Sequence, residues 1–166
     1  MGLFNKIFGF NDKPQNNTTV NTENSQYEFY GESDRIWKKY EKVVNMHYKL
    51  LEKINMNYTV VMNLGDEFSS QMDQVIEDCK RDIAIAQTFY DYCKETAEYY
   101  NDPIENHLPT YDSFKRLAII YEKRKEYDKA LAVCQTAIDI GFYKDGTAGQ
   151  IPGRMARLYK KLNKLG

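Results

Sequence analysis

From Glu32 onward, apolar residues in this 166-residue chain recur at steps of three and four, and nowhere do they alternate with polar residues for long enough to make a strand. That periodicity restricts the chain to helices. Trp37, Tyr40, Val44, His47, Leu51 and Ile54 mark one face of a long first helix. The stretch Asn63–Asp66 breaks it, with Gly65 as the stop and Asp66 or Ser69 as the next cap. A second long helix follows, with Phe68, Met72, Val75, Cys79, Ile83, Ala86, Phe89 or Tyr90, and Cys93 on its apolar stripe. Pro103 and Pro109 end it, because proline has no amide to continue the hydrogen-bond ladder. The fold class expected is all-α, built from antiparallel helical hairpins.

Composition changes at about residue 30. Asn11–Gln26 is Asn/Thr-rich and nearly free of apolar residues, so it buries too little to offset its ordering entropy and reads as a flexible linker. It tethers an apolar decapeptide, Met1–Phe10, in which Leu3, Phe4, Ile7 and Phe8 fall on one helical face. Burying those four side chains gains roughly 6–12 kcal/mol. Ordering ten residues costs on the order of 10–20 kcal/mol, so the segment is expected to make only a weak, reversible contact with a membrane surface or a groove. The expected organisation is therefore an arm over residues 1–30, two long helices over 31–109, and a third segment over 110–166.

Several function classes are disfavoured on chemical grounds. No apolar run is long enough to span a bilayer, and Lys6 interrupts the N-terminal apolar stretch where a secretory signal would be continuous. Cys79, Cys93 and Cys134 are odd in number and scattered over helical segments, which suggests reduced, buried thiols in a cytoplasmic protein. They are 14 and 41 residues apart, and with only two histidines the chain offers no zinc spacing, so no metal and no cofactor are expected. His47 lies on an apolar face and reads as a satisfied core residue; His107 sits in a proline-bounded loop. The acidic residues between Asp66 and Glu105 read as the solvated face of a helix rather than a catalytic pair. No enzyme is expected. Of the 14 tyrosines the densest group, within Phe89–Tyr100, lies in the most acidic part of the chain, which argues against nucleic acid.

The last third carries the most specific pattern. In Thr110–Phe142, with Thr110 or Asp112 as the cap, small residues sit where two antiparallel helices would touch: Ala118 on one, Ala130 and Ala137 on the other. Phe114, Leu117, Tyr121 and Tyr127 fill the space around them. This segment resembles a tetratricopeptide repeat, a helix–turn–helix unit of about 34 residues. The motif places Trp, Leu-Gly and Tyr along its first helix, and Phe114, Leu117-Ala118 and Tyr121 stand at that spacing. Its second helix takes Ala, Phe and Ala, here Ala130, Cys134 and Ala137. Phe142 stands where a closing proline is usual. A second, partial copy follows: Arg154–Asn163 repeats the Arg, apolar, Ala, Tyr and Lys of Arg116–Lys125 at an offset of 38 residues, the first helix of another repeat serving as a cap.

Between the copies lies a glycine-rich stretch with Gly146, Gly149 and Gly153. A phosphate loop would need a preceding strand and a Lys-Ser/Thr pair after the last glycine, but a helix precedes it and Arg154-Met155 follows. It reads as a spacer, Lys144–Gly153, lengthening the turn between repeats.

The resemblance implies protein binding on the concave side of the first helices, through Lys115, Ile119 and Glu122 facing Arg157 and Lys160. That face is mainly basic, which suits an acidic protein or peptide partner. It is open, or it is filled by the chain's own N-terminal helices. Residues 1–110 carry 11 Lys/Arg and 18 Asp/Glu, net −7, and residues 111–166 carry 12 and 6, net +6. Opposite charge suits internal docking and equally permits head-to-tail self-association.

Overall fold

The computed structural model describes residues 22–65 and 68–164, and of residues 22–30 the backbone only. The chain divides into two units, Met1–Glu32 and Ser33–Gly166. Met1–Phe10, with Leu3, Phe4, Ile7 and Phe8, lies outside the described residues. Among the described residues there are six α-helices and no strand, in agreement with the all-α expectation. They are α1 (Thr22–Leu64), α2 (Ser70–Ile83), α3 (Ala86–Tyr100), α4 (Asp112–Lys123), α5 (Tyr127–Ile140) and α6 (Gln150–Leu162), with a 3-10 turn at Ile104–Asn106.

Helix α1 starts ten residues before Glu32, so residues 22–26, which read as linker, are helical. Polarity alone is no argument against a helix there, since residues 22–26 hold no glycine or proline to break one. Tyr40, Val44, His47, Leu50, Ile54 and Val61 form its buried stripe; Leu50 rather than Leu51 takes the step between His47 and Ile54. Each large apolar side chain so buried contributes about 1.5–3 kcal/mol. Gly65, at φ +70°, ends the helix as expected.

The second long helix is in fact two. Ser69 caps α2 by accepting the Met72 amide at 3.1 Å, and Phe68 stands outside the helix, 71% exposed, instead of on its apolar stripe. Helix α2 stops at Ile83, and α3 begins at Ala86. The carbonyl of Asp82 explains the break: it accepts the Ile85 amide at 3.1 Å and the Tyr111 hydroxyl at 2.7 Å, so a distant side chain competes at the carbonyl that would continue the ladder. Segment 31–109 therefore contributes three helices, not two.

Helices α4 and α5 form the close pair expected, with Ala118, Ala130, Cys134 and Ala137 all fully buried between large neighbours. The cap of α4 differs from the expected Thr110 or Asp112: Tyr111 holds that position without a side-chain cap, its ring is core, and Asp112 falls in the first turn. Helix α5 ends at Gly141, φ +114°, where the Gly141 and Phe142 amides both reach the Ala137 carbonyl. A Cβ there would lie 2.6 Å from the Tyr90 ring, so glycine is required twice over. Phe142, in the place of a closing proline, is a core plug against Tyr111 at 4.7 Å and Tyr90 at 5.7 Å.

Helix α6 starts at Gln150, so the spacer ends at Gly149 rather than Gly153. Pro152 fits the first turn, where its missing amide is not needed. Helix α5 packs between α4 and α6, and α2 packs on α4. Ion pairs tie α1 to α3 and α2 through Lys39–Glu95 and Lys53–Asp78, and the Arg116 guanidinium of α4 lies over the Tyr58 ring at 4.8 Å.

Candidate functional site

The most completely buried polar cluster holds three helices together. His47 of α1 places Nδ1 2.8 Å from Asp82 Oδ1, and in the tautomer that carries its proton on Nδ1 the ring donates to that oxygen. Ser113 donates its hydroxyl to Asp82 Oδ2 at 2.5 Å, and Tyr111 lies 3.2 Å from Oδ1. The His47 ring is enclosed by Phe89 at 4.4 Å and Tyr111 at 4.5 Å. Burial, then the charge of Asp82 and the hydrogen bond to it, push the Tyr111 hydroxyl far above its ordinary range. All four side chains are sealed from solvent, so the cluster resembles a nucleophile arrangement in composition only. His47 is the satisfied core residue expected. Asp82 and its neighbour Asp78 correct the solvated-face reading, because both are fully buried. Lys53 Nζ straddles the Asp78 carboxylate at 2.8 and 3.0 Å, and Gln74 adds a bond at 3.3 Å. His107 pairs with Asp102 at 3.0 Å.

A second cluster shapes the turn into α6. Asp145 accepts the Thr147 amide at 2.9 Å and hydroxyl at 2.6 Å, and Arg154 Nε and Nη2 at 3.1 and 2.9 Å. Burial opposes ionisation of this carboxyl, but the bonds from Thr147 and Arg154 together outweigh it and hold the carboxyl below its ordinary 3.8. Gln150 Oε1 accepts the Asp145 and Gly146 amides. Of the two guanidinium groups near the start of α6, that of Arg154 is thus already held by Asp145, while Arg157 is exposed.

The expected binding residues fall around one helix. Helix α4 is covered on its Ser113–Leu117–Ile120 side by α2 and on its Phe114–Ala118–Tyr121 side by α5. Its Arg116 edge meets α1. Lys115, Ile119 and Glu122 occupy what remains, and all three are half-buried. Glu122 is bridged to α6 by Lys161 at 2.8 Å and Arg154 at 3.8 Å. Lys115 reaches toward the turn, its Nζ 4.0 Å from where a Gly146 Cβ would stand. Arg157 and Lys160 are exposed on α6, and Arg157 folds back to 3.6 Å from a Gly153 Cβ. The residue missed on this face is Lys161, because its pairing with Glu122 depends on how α6 crosses α4 and not on spacing within either helix.

Two apolar surfaces lie elsewhere. A shallow groove of about 370 Å³ runs between Ile83 and Ala84, Leu117 and Tyr121 of α4, and Ala132 and Val133 of α5, with Lys80 and Lys129 at its rim. Met56, Val60 and Leu64 form an exposed stripe at the end of α1. The three cysteines are free and buried, and burial raises Cys79 and Cys93 to about 12 and Cys134 to about 11. Among the described residues, no three His, Cys, Asp or Glu side chains are grouped as a metal site requires, and no helix is long and apolar enough to cross a membrane. The chain matches no family model, no curated protein and no solved structure.

Proposed function

We propose that this chain is a non-catalytic protein-interaction module of tetratricopeptide-like build, with α4 and α5 as one repeat and α6 as the first helix of a second. Its partner is an acidic protein or peptide, held at the face carrying Lys115, Ile119, Glu122, Arg157 and Lys160. The observation that carries this reading is how charge is divided. The buried groups His47, Asp82, Asp145 and Arg154 are taken up by partners within the chain, which leaves them to structure. Arg157 and Lys160 of α6 are exposed instead, and Ile119 of α4, to which α6 is bridged through Glu122, is half-buried; an acidic ligand with one apolar side chain suits that set of groups. Affinity capture with the wild-type chain and with Lys115→Glu/Arg157→Glu tests it: the double variant should lose the captured partners, and an unchanged set refutes the face.

A second reading rests on the one-sided spacing of Leu3, Phe4, Ile7 and Phe8, which suits a peripheral membrane anchor for the same adaptor. Liposome flotation with and without residues 1–10 decides it, since equal behaviour of the two proteins removes the anchor.

A further inference from the structure

Helices α4 and α6 share a pattern, and comparing their burial separates two sides of it. At the 38-residue offset, Ser113 and Ile120 of α4 correspond to Ile151 and Leu158 of α6, and all four are buried, on helices that pack against α2 and α5 respectively. Phe114, Ala118 and Tyr121 correspond to Pro152, Ala156 and Tyr159. On α4 these three are buried under α5, Tyr121 being 7% exposed; on α6 all three are exposed, Tyr159 at 49%. Helical period places Met155 and Asn163 on the same side, giving a strip without a charge. The next sector is wholly basic, with Arg157, Lys160 and Lys164, and α6 contains no Asp or Glu.

We propose that this strip is a docking face for an amphipathic helix of a partner protein, laid on α6 as α5 is laid on α4. The chemistry of that helix follows from what the strip offers. Ala156 leaves a notch that admits close approach, so the incoming helix presents small residues there, as α5 presents Ala130, Cys134 and Ala137 to α4. Its flank is acidic, because it must run beside Arg157, Lys160 and Lys164. Helix α5 with its N-cap has this character, Glu126, Asp128 and Asp139 standing against Lys129. A second copy placed by a two-fold axis is a poorer occupant, since it would set the basic sector of α6 against its own equivalent. The strip of Pro152, Ala156 and Tyr159 is separate from Lys115, Ile119 and Glu122, although its basic flank shares Arg157 and Lys160 with that face; Ala156→Glu and Tyr159→Ala therefore test the strip alone.

The probe is a fluorescein-labelled peptide with the sequence of Glu126–Gly141, titrated with the full chain and followed by anisotropy. Saturable binding is expected, at least tenfold weaker to Ala156→Glu and to Tyr159→Ala and also weakened by Lys164→Glu, with affinity falling as salt rises. These positions are exposed, and circular dichroism of each variant verifies that the fold is kept. Absence of binding, or binding that the Ala156 and Tyr159 variants leave unchanged, overturns the proposal. So does sedimentation of the chain alone as a dimer that Ala156→Glu dissociates, because the occupant would then be a second copy.

Discussion

Replacing Asp82 by alanine tests the joint between α1, α2 and α4. The carboxylate takes the His47 ring at 2.8 Å and the Ser113 hydroxyl at 2.5 Å, all three side chains being buried. Without it both donors are left in an apolar pocket, whereas Tyr111 keeps the Asp82 main-chain carbonyl at 2.7 Å and is not orphaned. Two buried unsatisfied groups at about 1–3 kcal/mol each give a loss of about 2–6 kcal/mol. At a urea dependence of about 2 kcal/mol per M, the midpoint falls by roughly 1–3 M. Ser113→Ala removes one donor from a carboxylate that retains its others, and costs about 1.5–3 kcal/mol. The double variant no longer contains the stranded hydroxyl, so it is less destabilised than the two single losses added together. Urea unfolding is followed by far-ultraviolet circular dichroism and by the fluorescence of Trp37, the only tryptophan, which lies edge-on to Tyr92 at 6.4 Å and so reports α1 leaving α3. A loss below 1 kcal/mol for Asp82→Ala, or strict additivity in the double variant, refutes the reasoning.

Three further outcomes are expected. Gly141→Ala meets both a left-handed backbone and the Tyr90 ring, and lowers stability by about 2 kcal/mol or more; an unchanged melting temperature contradicts this. Because the folded chain holds the Asp145 carboxyl below 3.8, it binds fewer protons than the unfolded chain in acid, so stability falls as pH drops from about 4 through the folded value. Asp145→Asn is less stable at pH 7 and shows a shallower acid loss in urea midpoints measured between neutral and acid pH. The thiols of Cys79 and Cys93, at about 12, and Cys134, at about 11, are roughly one part in a thousand thiolate or less at pH 8. A thiol reagent should label them only on unfolding, and rapid labelling of the native chain contradicts the burial.

What was legible in the sequence was whatever depended on neighbours along one helix. The alanines at 118, 130 and 137 announced a close helix pair because size and spacing are local properties, and Ser69 and Gly65 announced helix ends for the same reason. The break between Ile83 and Ala86 was not legible. No glycine or proline marks it, and apolar spacing runs through it; its cause is a hydroxyl 29 residues away bonded to one carbonyl. The burial of Asp78 and Asp82 was hidden likewise, since a carboxylate enters a core only where Lys53, His47 or Ser113 arrives from another helix to meet it. At the candidate face Lys115, Ile119 and Glu122 could be placed on one side of α4 from spacing, while the Glu122–Lys161 bridge required the crossing of two helices.

The route of α1 past α3, α2 and α4 sets the order in which the chain can mature. The partners of α1 lie 25 residues ahead at Lys53–Asp78, 35 at His47–Asp82, and 58 at Tyr58 over Arg116. At roughly 5–20 residues per second of synthesis, the last of these is made about 3–12 s after Tyr58 itself. Helix α1 leaves the ribosome before α2, α3 and α4, and is therefore sheltered only as they follow. Its stripe of Tyr40, Val44, Leu50 and Ile54 is covered only in stages over that interval, starting when α2 arrives, whereas α4 and α5 can close on each other as soon as both exist.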